Sequence, residues 1–329
     1  MPTELAAVRA VYKPWGVRDL QPWSSLDASG DAIGELWFER EGTDADTPAL
    51  LLKLLFTSES LSIQVHPDDT FARAMGMPNG KSEAWYILSA EPDARIGVGL
   101  KHRVTLQQLR ASIQNGSITE LVDWRPVAKG DVIYIPAGTI HSIGAGIVLA
   151  EIQQRSDATF RLFDFGRQRE LDQDNGVAVA HPWPLPTRCD PTRLTAARTA
   201  LVASRHFVLE RVELPAGSSW ALLAETETWI LVLGGHAAIG LSTASIGQAI
   251  FVRGGRTSIE VGADGLTALI AYPASHPIDS LLQPLGEHSA SPADSAASSL
   301  SSFAGDTEAP GPARTEAPAR TQDPARTQA

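Results

Sequence analysis

A single cysteine, Cys189, serves a chain of 329 residues. One thiol can form neither an internal disulfide nor a cysteine-rich zinc or iron–sulfur site, so those scaffolds are excluded. It also suits a reducing compartment. Basic blocks are missing too. Lys and Arg number 27 against 38 Asp and Glu, a net charge of −11, which argues against nucleic acid and anionic membranes as partners. No apolar run approaches the roughly 18 residues of a bilayer-spanning helix. The opening MPTELAAVRAVYKPWG has no signal-peptide core or cleavage site. The expectation is a soluble, cytoplasmic protein with room for two domains.

Large apolar residues are scarce from about residue 283 to 329, where Ser, Ala, Pro and Thr dominate. A six-residue period starts at Pro312, Pro318 and Pro324, each time reading Pro-Ala-Arg-Thr. Such a stretch buries too little apolar surface to offset its ordering entropy and is expected to be a disordered tail.

What remains is dominated by short β-type runs punctuated by Gly and Pro. Strands are expected over Leu50–Thr57, Leu61–His66, Glu83–Ser89, Asp131–Ile135, Ile147–Gln153 and Thr159–Phe165. Later candidates are Phe207–Leu214, Trp229–Leu233, Ala249–Val252, Ser258–Val261 and Thr267–Tyr272. Helical signals are few: a turn at Phe71–Met77 behind Asp68 and Asp69, a helix over Leu106–Gln114 capped by Thr105, and a turn at Ile118–Asp123. Many short strands imply a mainly β sandwich or barrel. Two echoes point to internal duplication. Ser82-Glu-Ala-Trp85 resembles Thr226-Glu-Thr-Trp229, and the run Gly130–His141 resembles Gly247–Ser258, with Ser258 where the first copy has His141.

In Leu61-Ser-Ile-Gln-Val-His66, strand alternation puts Ser62, Gln64 and His66 on one face and the apolar residues on the other. Lys81 and Glu83 share a face by the same rule, and His141 ends the third piece. Two imidazoles, a carboxylate and an amide oxygen could hold Zn²⁺ or another first-row divalent ion. On spacing alone, separately satisfied polar residues remain the alternative.

Four runs in order carry a more specific signal: Leu61–Asp69, Gly80–Tyr86, Ile135–Gly144 and Glu151–Arg167, with Tyr12-Lys-Pro-Trp-Gly16 and Ile33–Trp37 ahead of them. Together they resemble type I phosphomannose isomerase in its short bacterial form. The resemblance implies two cupin (jelly-roll) β units: a metal-binding catalytic unit over 1–190, with a helical insert at about 104–123, and a metal-free unit over 191–282. It implies one Zn²⁺ per chain on Gln64, His66, Glu83 and His141, and interconversion of mannose 6-phosphate and fructose 6-phosphate through a zinc-stabilised cis-enediol(ate). It places the family's motif Glu, Asp and Arg at Glu151, Asp157 and Arg161, with the proton-carrying group left open among them. Ser62, Lys81, Arg161 and Arg167 are the expected phosphate and sugar contacts, and an ion pair with Asp164 or Glu170 is the competing role for Arg167. The alternatives are a related isomerase of free mannose or another sugar phosphate, and a non-catalytic sugar-phosphate-binding cupin. Oligomeric state is not legible.

Overall fold

The computed structural model describes residues 3–26, 30–41, 47–185 and 190–286. Cys189 and all but the first residues of the expected tail lie outside them.

The strand Leu50–Thr57 shows how the first half is layered. Every residue in it is buried. Leu50, Leu52, Leu54 and Phe56 point to one side and join one apolar core. Leu51, Lys53, Leu55 and Thr57 point to the other. This strand is central in a six-stranded antiparallel sheet, flanked by Ile33–Glu39 and Ile147–Gln154, with Ala7–Val17, Glu83–Ala90 and Val132–Ile135 further out. A five-stranded sheet faces it, in the order Phe160–Phe163, Ile63–Val65, His141–Ile143, Arg95–Leu100, Val122–Pro126. Trp85, Ile87, Ile96, Val98, Ile143 and Leu149 fill the space between the two as a second core.

The outer side of the five-stranded sheet is closed by helices. Leu106–Asn115 starts on a capping box, in which Gln108 N–H donates to Thr105 Oγ1 and Thr105 N–H to Gln108 Oε1. It ends at Gly116 in the left-handed region, φ 80°. Leu109 and Ile113 from this helix pack with Ile63, Val65, Phe160 and Val177, each buried aliphatic contributing about 1.5–3 kcal/mol. Asp68 caps the short helix Asp69–Ala74 by accepting from Phe71 N–H at 2.8 Å. A further helix, Gln173–Val179, has no strong sequence signal because it is short and contains Gly176.

The second half is a ten-stranded assembly built on two long bent strands, Thr228–Ile239 and Gly255–Tyr272. The two runs expected at Ser258–Val261 and Thr267–Tyr272 are therefore one strand. It pairs with Ser219–Ala224 at its start and Val208–Leu214 at its end. The bend needs glycine: a Cβ on Gly235, φ 74°, would lie 1.9 Å from Gly265 O. Leu282–Pro284 pairs with Ser219–Ala224, so the sheet runs two residues past the expected boundary at 282.

The halves share a core. Phe38, Leu54, Tyr86 and Ile152 from the six-stranded sheet pack with Leu201, Phe207, Trp229 and Phe251 from the second half. The strand Thr3–Leu5 crosses over to pair with Ala249–Val252. Glu227 Oε atoms accept from the backbone N–H groups of Ala49 and Leu50 at 2.7 and 2.8 Å, capping the entry to Leu50–Thr57. The two sequence echoes fall on corresponding strand pairs but differ in register by one residue. Trp85 lies opposite Ile133, whereas Trp229 lies opposite Phe251, the counterpart of Tyr134. A one-residue slip reverses the face, so Trp85 looks inward and Trp229 enters the shared core.

Candidate active site

The register of the two sheets brings distant residues into facing rows. Across the five-stranded sheet, Arg161, Gln64 and His141 lie opposite one another in turn. Across the six-stranded sheet the row is Trp37, Lys53, Glu151, Trp85. Glu83 lies one step along, opposite Ile135. Between the sheets is a cavity of about 330 Å³, within the usual range for a small-molecule site.

Glu83 lines it, with His66 and His141 buried against this carboxylate, and the ligand atoms of the three lie within 4.8 Å of one another. His66 Nε2 is 3.5 Å from Glu83 Oε2, and His141 Nε2 is 3.4 Å from Glu83 Oε1. Each imidazole is oriented from behind: Nδ1 of His66 meets Ala158 O at 2.7 Å, and Nδ1 of His141 meets Thr139 O at 2.9 Å. A carbonyl accepts only a hydrogen, so both Nδ1 atoms carry one and both Nε2 atoms present lone pairs inward. His66 Nε2 is buried with no hydrogen-bond partner. Desolvation depresses both imidazoles, His66 to about 4, which keeps them neutral and fit to ligate. Gln64 stands beside them, with Nε2 3.3 Å from His141 Nε2 and Oε1 accepting from Ser62 Oγ. Turning its amide by 180° exchanges N for O in the same space and aims the oxygen at the cluster. Two lone-pair imidazoles, a carboxylate and an amide oxygen fit a divalent cation of the zinc type.

Positive charge surrounds this cluster. Lys81 Nζ is 2.8 Å from Glu83 Oε2. Burial disfavours the Lys81 ammonium, yet Glu83, Glu151 and Glu35 more than offset it and shift the group upward. Burial would raise Glu83, but the Lys81 ammonium outweighs it and shifts the carboxyl well downward.

No family model matches the chain. Curated proteins do. The mannose-6-phosphate isomerase of Streptococcus mutans serotype c is 33% identical over 191 residues, 56% of this chain and 59% of that protein. ManA, a mannose-6-phosphate isomerase of Bacillus subtilis (strain 168), is 36% identical over 170 residues, 48% of this chain and 54% of that protein. The matched region thus spans about half to three fifths of these relatives. Among solved structures, the mannose 6-phosphate isomerase from Bacillus subtilis superimposes with TM-score 0.71 at 22% identity, over 82% of this chain and 98% of that one. The mannose 6-phosphate isomerase (apo form) from Salmonella typhimurium gives 0.64 at 13% identity, over 82% of this chain and 99% of that one. Over about half its length the chain is thus similar to curated mannose-6-phosphate isomerases. It has their cupin fold.

Most residues that the phosphomannose isomerase resemblance singled out converge. Ser62, Gln64, Lys81, Glu83, Glu151, Asp157 and Arg161 line the cavity, with His66 and His141 buried behind Glu83. Glu151 is fixed by two donors, Lys53 Nζ at 3.3 Å and Trp85 Nε1 at 3.1 Å. Asp157 is exposed at the mouth, in the break between Ile147–Gln154 and Phe160–Phe163. Arg161 Nη1 donates to Glu170 O at 2.8 Å, while its Nε is buried without a partner.

Arg167 is the exception. It does not line the cavity; Arg169 does. Arg167 instead donates to Asp164 Oδ1, Glu59 Oε2 and Ser60 O. Its competing role, the ion pair with Asp164, is what the structure contains.

Sequence reasoning also missed a ladder of charges on the cavity wall. Lys13 Nζ lies 3.3 Å from Glu35 Oε1, and Lys53 Nζ lies 3.6 Å from Glu35 Oε2 and 4.3 Å from the centre of the Trp37 ring. A lone lysine inside Leu50-Leu-Leu-Lys53-Leu-Leu-Phe56 was the available signal: charge in an otherwise buried run needs partners. A larger cavity, about 500 Å³, lies elsewhere against Ile96, Val98 and Val132. Of its charged neighbours Arg125, Asp131 and Asp190, the first two are already engaged, with Asp123 and Ala128 N–H.

Proposed function

We propose that the chain is a metal-dependent mannose-6-phosphate isomerase that interconverts mannose 6-phosphate and fructose 6-phosphate by moving a proton between C1 and C2 through a cis-enediol. The observation that carries this is the buried His66–Glu83–His141 cluster beside a cation-rimmed cavity. Gln64 completes the ligand set, and one Zn²⁺ per chain is the ion its nitrogen and oxygen donors suit best. When bound, the ion supplies Lewis-acid polarisation of the sugar's carbonyl oxygen.

The chain's own residues do the rest. Arg161 sits two strands from His141, about 10 Å across the sheet, so the reacting end of an extended sugar and its phosphate have separate anchors. Glu151 is the general base: Lys53 and Trp85 hold its carboxylate over the cavity. Asp157 at the mouth exchanges protons with water. Lys81 and Ser62 donate to sugar hydroxyls. Residues 1–190 carry all of these groups, and 191–282 support them through the shared core.

The test is metal analysis and mannose 6-phosphate turnover on one preparation. Chelation is expected to cost at least about 100-fold in rate, restored by zinc, and His141→Ala to lose the bound metal. Full turnover by metal-free protein would refute the proposal. Equal turnover of free mannose would redirect it to a sugar isomerase indifferent to phosphate.

A further inference from the structure

We propose that Arg169, braced by Asp164, grips the substrate's phosphate beside Arg161, and that Arg167 is a strut of the same turn; this rests on the sugar-phosphate reading above. Asp164 is buried, yet it faces two guanidiniums. Arg169 Nε donates to Asp164 Oδ2 at 2.7 Å and Nη2 donates to Oδ1. That bidentate contact occupies only the Nε edge of the guanidinium. The edge formed by Nη1 and the second hydrogen of Nη2 stays open, and the side chain, 30% exposed, lines the cavity. An open fork of this kind matches two phosphate oxygens.

Arg167 has no such edge. Its Nε and Nη2 go to Asp164 Oδ1, Nη2 also to Ser60 O at 2.7 Å, and Nη1 to Glu59 Oε2 at 3.2 Å. The backbone enforces the difference. Phe165 and Gly166 both have positive φ, 51° and 85°, and Arg167 N–H closes the turn on Asp164 O at 3.0 Å. A non-glycine residue in the left-handed region is uncommon; here it goes with four side-chain hydrogen bonds from the two following arginines to Asp164.

Charge supports the same assignment. Among the described residues, Asp164 and Glu59 are the carboxylates within ion-pair distance of Arg167 and Arg169, and Arg161 has none that close. Arg161 adds a buried Nε–H with no partner. Asp164 is thus a positioning residue, and Arg169 a binding one.

The experiment compares Arg169→Gln, Arg169→Lys, Asp164→Asn and Arg167→Gln as holoenzymes. It measures steady-state kinetics with mannose 6-phosphate and calorimetric binding of inorganic phosphate. Arg169→Gln is expected to raise KM and the phosphate Kd by about 10- to 100-fold with kcat within about threefold. Arg169→Lys should recover part of the loss. Asp164→Asn should show the same KM-against-kcat split more weakly, while Arg167→Gln lowers the melting temperature with KM within about twofold. A wild-type KM in Arg169→Gln, or the KM loss appearing in Arg167→Gln, overturns the assignment and leaves the isomerase reading intact. Wild-type protein that binds phosphate through Arg169 but does not isomerise the sugar phosphate would keep this site and sink that reading. Failure of the wild type to bind phosphate sinks this site.

Discussion

Lys53→Met tests whether the cavity wall is held by its charge ladder. Lys53 is 5% exposed and sits between Glu35 at 3.6 Å and Glu151 at 3.3 Å. Methionine keeps most of its volume and removes the ammonium. Taking one partner from a buried pair costs about 3–5 kcal/mol. The low end applies, because Glu35 retains Lys13 and Trp37 Nε1, and Glu151 retains Trp85 Nε1. At about 2 °C per kcal/mol for a fold of this size, the melting temperature of metal-free protein should drop by about 6 °C. The pH dependence gives a second readout. Burial would raise the Glu35 carboxyl, but Lys53, Lys13 and the Trp37 N–H outweigh it and hold it below 4.5. A carboxyl depressed on folding stabilises above its unfolded pKa, and that contribution fades as pH falls through the folded value. The gap between wild type and Lys53→Met should therefore narrow below about pH 4.5. Scanning calorimetry from pH 3 to 8 measures both effects, and adding Glu35→Gln should give a non-additive double mutant. A shift under about 1 °C at neutral pH, or a gap that widens in acid, would refute the reasoning.

Two further outcomes follow from buried groups. His66 is pushed down to about 4 by desolvation, against 6.5 when exposed. The unfolded chain then binds the extra proton between these values, so in metal-free protein the His66 contribution should remove about 3 kcal/mol as pH falls from 6.5 to about 4 and stay constant below that, which the difference between wild type and His66→Leu isolates. Chemical denaturation at each pH checks this; a His66→Leu profile as steep as wild type would contradict it. In the second half, Arg198 and Glu210 form a buried bidentate pair, joined by Tyr272 OH at 2.6 Å from Glu210 Oε1. Glu210→Ala should cost about 3–5 kcal/mol by stranding the guanidinium. KM should not change, since none of the three lines the cavity; a KM effect without loss of stability would show the pair has another role.

Regular alternation made much of the site legible. Gln64 follows Ser62 by two residues and Glu83 follows Lys81 by two, and period-2 spacing alone puts each pair on one face. The ordered motifs then tied those pairs to His66, His141 and Arg161. The helix Leu106–Asn115 was equally readable because its capping box is local. Lys53 was visible only as an anomaly, since its partners Glu35 and Glu151 lie far away in sequence. Strands such as Arg95–Leu100 escaped because Gly97 and Gly99 mask the pattern.

By itself the sequence determined the β class, the donor types at the metal cluster and the need for a few cations in an acidic chain. Those follow from local periodicity and side-chain chemistry. Tertiary structure alone decided which arginine faces the cavity. Arg167 and Arg169 are two residues apart in one run, and alternation treats them alike. Only the positive-φ turn at Phe165–Gly166 and the buried Asp164 send one to Glu59 and Ser60 and leave the other a free edge. It also decided that two similar sequence echoes would do different work. A one-residue difference in register turned Trp85 toward the site and Trp229 into the core that joins the halves, because a slip of one residue moves a side chain to the other face of the sheet and the short echo by itself does not carry the register.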